Sequence, residues 1–183
     1  MSTASRIAMA FASVITVLLL QATLVGPLTF PVPVSLPALL VIVVGIYAGP
    51  GVGLGLGFAT GLLADLGSEH PAGVLALCWM AAGGAAGVVG GLALERGCRT
   101  RGVAGMAAAL GAASSWLVAM MLAILGSHAA SVWLAFRNLV PIGLVEALLG
   151  LVVVPIVRAM LRSQGIRSPR PVAGVIGRPY ATR

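Results

Sequence analysis

The sequence predicts an all-α polytopic membrane protein, a six-helix transmembrane bundle. Three observations carry that expectation. Of 183 residues, 60% are hydrophobic and 8% charged, with a mean hydropathy of +1.10; a soluble domain carries roughly 25% charged residues. The apolar residues gather into runs, several of them near the roughly 20 residues that a helix needs to cross a bilayer. The charges are confined largely to the ends of those runs, and all eleven basic residues are arginine.

The first run, IAMAFASVITVLLLQATLV (Ile7–Val25), follows Arg6. A signal peptide has an apolar core of roughly 7–15 residues closed by a small-x-small cleavage site. This run is longer and leads into QATLVGPLTF without such a site, so it reads as a retained span. GPLTFPVPVSLP follows, with prolines at 27, 31, 33 and 37. A helix interior does not accommodate that density of proline, which points to an extended connection in the membrane interface. Pro37 suits the first turn of the next helix, where a missing N–H costs little.

From Leu36 to Leu66 the chain is apolar for 31 residues, too long for one ordinary span, and Gly49-Pro50-Gly51 interrupts it. Two helices are therefore expected, Leu36–Ala48 and Gly51–Leu66, each short for a hydrocarbon core of roughly 30 Å. The turn GSEHPAG leads to a fourth span, Val74–Leu94. The basic loop ERGCRTRG leads to a fifth, Val103–Leu125. GSHAASVWLAF places Trp133 and Phe136 where the headgroup zone favours aromatic rings. Leu139–Val157 is the sixth span, which defines a membrane domain over residues 1–162 and a basic, disordered cytoplasmic tail over 163–183.

Arginine placement tests this count. With six spans, Arg6, the loop arginines 96, 99 and 101, and arginines 158, 162, 167, 170, 178 and 183 share one side, and Arg137 alone lies opposite. That side is cytoplasmic by the positive-inside bias, so both termini are expected inside. Treating Leu36–Leu66 as one span would split the loop and tail arginines across the membrane. The same placement beside spans, with no recognition motif, argues against a nucleic-acid partner for the net charge of +7. Arg158 and Arg162, just beyond the last span, are placed to face anionic lipid, worth about 1 kcal/mol each near the surface.

Gly53, Gly57 and Gly61 are spaced by four, and Asp65 follows at the same interval; Gly83, Gly87 and Gly91 repeat the spacing in the fourth span. Residues four apart stack on one helix face. Small residues there let two helices approach closely, which is how helices associate in lipid. The third and fourth spans are expected to pack through these faces. Asp65 then has three readings: a solvated carboxylate at a helix end, an acceptor for N–H groups of the following turn, or a proton or cation ligand with Glu69 and His70. Glu146 is an acid inside the last span, at an insertion cost of about 2–4 kcal/mol. It reads either as a structural group that stays protonated or pairs with a polar partner such as Ser114, Ser115 or Gln21, or as a ligand-binding or coupling carboxylate.

Sequences for Gly-x-Ser-x-Gly, His-Glu-x-x-His and Walker sites do not occur. Cys78 and Cys98 form neither a metal pattern nor a disulfide framework, and read as a packing thiol and a reduced loop thiol. No catalytic, metal or cofactor residues are expected, and the chain does not read as an enzyme.

GFATGLLADLGSEHPAGVLAL resembles the rod shape-determining protein MreD family. That family is similar in its Gly-Phe-x-x-Gly-x-x-x-Asp-Leu stretch, short polar turn and helix-opening glycine, which here are Gly57, Phe58, Gly61, Asp65, Leu66 and Gly73. The resemblance extends to the proline-led second span (Pro37) and to a last helix ending with Pro155, Arg158 and Arg162. It departs early in the last helix, where Asn138 and Glu146 form an unfamiliar arrangement. The resemblance implies a fold similar to the substrate-binding subunits of energy-coupling-factor transporters. It also implies a non-enzymatic, multi-pass component of the bacterial cytoplasmic membrane. Its implied partners are an MreC-like protein and, in the wider elongation complex, MreB, RodA and a class B penicillin-binding protein. The rival expectation is a vitamin-binding subunit of such a transporter, for which Glu146, Asp65 and Trp133 are the available polar material.

Overall fold

The computed structural model describes residues 3–25, 35–67, 71–125, 137 and 139–163. Six α-helices occur among them: α1 (Thr3–Leu20), α2 (Leu36–Ala48), α3 (Pro50–Asp65), α4 (Val74–Glu95), α5 (Thr100–Ile124) and α6 (Leu139–Ser163). A π-helical turn, Gln21–Val25, extends α1. The proline-rich connection, Glu69, His70, His128, Trp133, Phe136, Asn138 and the tail beyond Ser163 lie outside the described residues.

Local chemistry sets the helix ends. Ser35 caps α2, its Oγ accepting from the Ala38 N–H at 3.4 Å, and Pro37 occupies the first turn. Gly49, at φ 94° and ψ 170°, ends α2 in a conformation that side-chain-bearing residues avoid. Pro50 then opens α3 where its missing N–H is an orphan anyway. One 31-residue apolar run is thereby folded back on itself. The last helix passes through Pro155, as the expected span Leu139–Val157 does, and α6 runs six residues beyond Val157, to Ser163. Pro155 removes one ladder hydrogen bond, and the helix continues through it.

Successive helices alternate in direction. Gly53, Gly57 and Gly61 of α3 lie against Gly83, Trp79 and Ala76 of α4, an antiparallel register. Val41 and Ile46 of α2 meet Gly83 and Gly90 in turn, so α2 and α4 are parallel. Ala104 and Ala112 of α5 face Gly150 and Gly143 of α6, again antiparallel. Ser13 of α1 reaches Met160, while Gln21 reaches Leu36. The exposed arginines 96, 99 and 101 therefore gather at the same end as Arg158 and Arg162, and the exposed Arg137 stands at the other.

α2 is the centre of the bundle. Eleven of its 13 residues are buried. Leu39, Ile42, Val43 and Ile46 form one core with Val14 of α1, Ala86 of α4, Val103 and Ala107 of α5, and Val154 and Val157 of α6. The short helix expected at Leu36–Ala48 is thus a strut sheathed by other helices. A helix apolar on all sides is a buried one. At about 1.5 Å per residue it is roughly 20 Å long, and its first residues, Leu36 and Pro37, are buried.

The outward faces of the described helices are largely apolar. Phe58, Leu62, Leu77, Val88, Leu92, Leu144, Leu148, Val152 and Ile156 are all exposed. α4, α5 and α6 are long and apolar enough to cross a membrane, by length and composition.

Candidate functional site

α3 and α4 form a hairpin whose parts coincide with the stretch from Gly57 to Gly73. At Gly57 an added methyl would fall on the backbone of Trp79 and Met80. At Gly61 it would fall on Leu75 and Ala76. At Gly53 and Gly83 the two backbones meet directly, and Gly87 lies against Gly49 and Pro50. All of these placements are inside 3.0 Å, closer than a real Cβ is found. Contact at this range maximises dispersion between helices that share no hydrophobic drive in lipid.

The expected face fails at one position. A methyl on Gly91 meets nothing within 4 Å, and the contact falls on Gly90, against Ile46. The fourth-residue rule slips there because α4 packs on both α3 and α2, and its contact line turns between them. Gly45, against Gly83, is the partner that the sequence reading missed. The doublets Gly83-Gly84 and Gly90-Gly91 were the available signal, and they do not say which member faces inward.

Asp65 is 3% exposed, which excludes the solvated reading. Its Oδ2 accepts from the Gly73 N–H at 2.8 Å and the Ala76 N–H at 3.1 Å, and its Oδ1 accepts from the Leu75 N–H at 3.2 Å. These donors lie at the start of α4, whose N-cap residue is Gly73 and has no side chain to supply. The last residue of α3 thus caps the next helix. A carboxylate satisfies the orphan N–H groups and meets the positive end of the α4 macrodipole. Gly73 itself, at φ 101°, turns the chain into α4 and has no neighbour within 4 Å of an added Cβ. It is a conformational position, not a helix contact.

Beside the hairpin, Phe58, Leu62, Pro71, Leu77, Met80 and Met121 line an apolar groove of about 480 Å³. No group of three or more His, Cys, Asp or Glu side chains assembles among the described residues.

Glu146 lies at the other polar locus, seven residues into α6 and 0% exposed. Its carboxylate fits into a notch left by Gly111 of α5 and lies near the backbone of Ser35, at the start of α2. Neither oxygen makes a hydrogen bond of good geometry among the described residues, so the expected pairing with Ser114, Ser115 or Gln21 is not formed. Gln21 instead accepts from the Leu36 N–H at 2.9 Å, and Ser114 Oγ is buried without a partner. Gly111 was not legible beforehand, being 35 residues from Glu146 with no local pattern linking them.

At the opposite end, Arg162 is exposed in the last turn of α6, and Arg158 one turn earlier is half-buried. Both lie within electrostatic reach of Tyr47, near the end of α2. Cys98 is exposed in the loop between α4 and α5, and Cys78 is buried in α4.

An all-helical architecture over the described residues, an apolar exterior and three helices of spanning length give the chain the build of a helical membrane protein. No protein-family model, curated protein or solved structure matches it.

Proposed function

We propose that the protein is a six-span, MreD-like scaffold of the bacterial cell-elongation complex. On this reading it lies in the cytoplasmic membrane with both termini inside and holds an MreC-like partner beside the peptidoglycan synthase. The observation that carries the reading is the use made of residues 57–73. Gly57 and Gly61 close the hairpin, Gly73 turns the chain, and the three backbone donors at the start of α4 engage the acid. The resemblance rests on these residues, and here they fix the shape of one end of the bundle. Phe58, at 50% exposure, and Leu66, at 77%, complete the pattern and face outward as apolar contact surface.

Six spans require α2 and α3 to cross as a pair. Their lengths, roughly 20 and 24 Å, suit a bundle that thins the bilayer around it while α4, α5 and α6 reach across. Gathering five described arginines at one end supports placing that end in the cytoplasm, against anionic lipid. The groove beside the hairpin is apolar, which favours a helix-binding scaffold over a vitamin-binding subunit.

Co-purification tests the proposal. Full-length tagged protein is expected to retain an MreC-like single-span protein from the same cells, and Gly61→Leu to lose it. Equal recovery with Gly61→Leu, from a variant still folded, would contradict the role of this face. A vitamin that raises the apparent unfolding temperature would favour the transporter reading instead.

A further inference from the structure

Glu146 poses a charge problem that the scaffold role leaves open. A fully buried carboxylate that only the Ser35 backbone approaches, with neither oxygen in a hydrogen bond of good geometry among the described residues, is costly unless something balances it. Arginines 96, 99, 101, 158 and 162 are at the far end of the bundle, and Arg137 is exposed nine residues earlier. Among the described residues, the polar groups that α5, α2 and the π-helical turn bring towards this level are Ser114, Ser115, Ser35 and Gln21, none of which titrates.

The surroundings are nonetheless shaped for the carboxylate. A methyl on Gly111 would overlap it, lying 2.6 Å from Cδ and 3.1 Å from Oε1. One turn along the same face of α5, the buried Ser114 hydroxyl also has no partner. The acid is aimed at the N-terminus of α2, a 13-residue helix whose dipole supplies about half a positive charge there. Roughly half a negative charge remains. One more positive charge leaves a balance of similar size, whereas a divalent ion would leave an excess of about 1.5 charges. Oxygen donors without thiolate or imidazole suit a hard cation.

We propose that Glu146, assisted by the Ser114 hydroxyl, is an exchangeable monovalent-cation site taking a proton or a sodium ion at the buried start of α2. Occupancy ties α5 and α6 to the central helix. Glu146 is the anchoring ligand, and Gly111 provides the room.

The test uses the full chain in lipid nanodiscs in a Cys98→Ser background. Thermal unfolding is followed through exposure of the buried Cys78 to a thiol-reactive dye. Sodium is titrated against choline at constant ionic strength and fixed pH, and pH is then varied in choline alone. The expected result is a midpoint rise of about 2 °C or more with sodium or with acid. Competition between the two, with acid flattening the sodium response, identifies a shared site. A response to acid alone assigns the proton, and a response to sodium assigns the metal ion. Glu146→Gln is expected to abolish both. A wild-type midpoint indifferent to sodium and acid, or a response that survives in Glu146→Gln, overturns the proposal. Should Glu146→Gln fail to fold, Ser114→Ala decides the sodium assignment: the sodium response weakens if it is right, and an unchanged response refutes it.

Discussion

Asp65 and Glu146 are both buried acids, and their neighbours give them different work. Asp65 receives three backbone N–H groups, whereas no such set of donors meets Glu146. Asp65→Ala would leave these donors unmet at the start of α4, and is expected to cost on the order of 2–3 kcal/mol in a denaturant titration of the purified protein. Asp65→Asn keeps one acceptor oxygen and is expected to lose less; equal losses would mean that the charge, not the hydrogen bonds, dominates. Only part of this was legible in the sequence. An acid beside a turn of glycines implied an acceptor for N–H groups, and the turn supplies one, Gly73. The other two donors belong to the next helix, because the sharp reversal brings the start of α4 back over the end of α3. Glu146 was visible as an anomaly, but its notch in α5 is a tertiary feature that no local spacing encodes.

At the scale of the element, the hairpin of α3 and α4 separates glycines that are needed from glycines that are spare. Gly57→Ala and Gly61→Ala force a methyl into opposing backbone, which cannot move aside as a side chain does. Each is expected to destabilise by about 1–3 kcal/mol, as overpacking does. Gly55→Ala has open space around its new methyl and removes a poor helix former, so it is expected to stabilise by up to about 1 kcal/mol. The three variants, compared by unfolding in one detergent, should therefore differ in sign; a common sign would mean that helix propensity, not the close contact, governs the hairpin. The fourfold spacing made the α3 face readable because that helix has one principal neighbour along it. The face of α4 was readable only in part, because it serves α2 as well. The role of α2 itself was hidden: a sequence apolar all round looks the same whether lipid or protein surrounds it.

Across the whole molecule, alternating helix direction and the turn at Gly49-Pro50 bring the arginines from two separate segments together. The two helices on either side of that turn were legible from its glycine and proline, and their ends fall within a residue of the expected ones at Ala48 and Asp65. The last helix was legible through Pro155 as far as Val157, and it runs six residues further, to Ser163. How the bundle lies in a bilayer is the central claim, and the native cysteines offer its most direct measurement. Cys98 is exposed among Arg96, Arg99 and Arg101, while Cys78 is buried. In intact cells a membrane-impermeant maleimide is expected to leave Cys98 unlabelled and to react with it once the membrane is permeabilised. A single cysteine introduced by Ala72→Cys in a Cys98→Ser background, at the opposite end of α4, should label from outside. Labelling of Cys98 in intact cells, with Ala72→Cys protected, would contradict the orientation; labelling of both from one side would contradict the passage of α4 across the membrane.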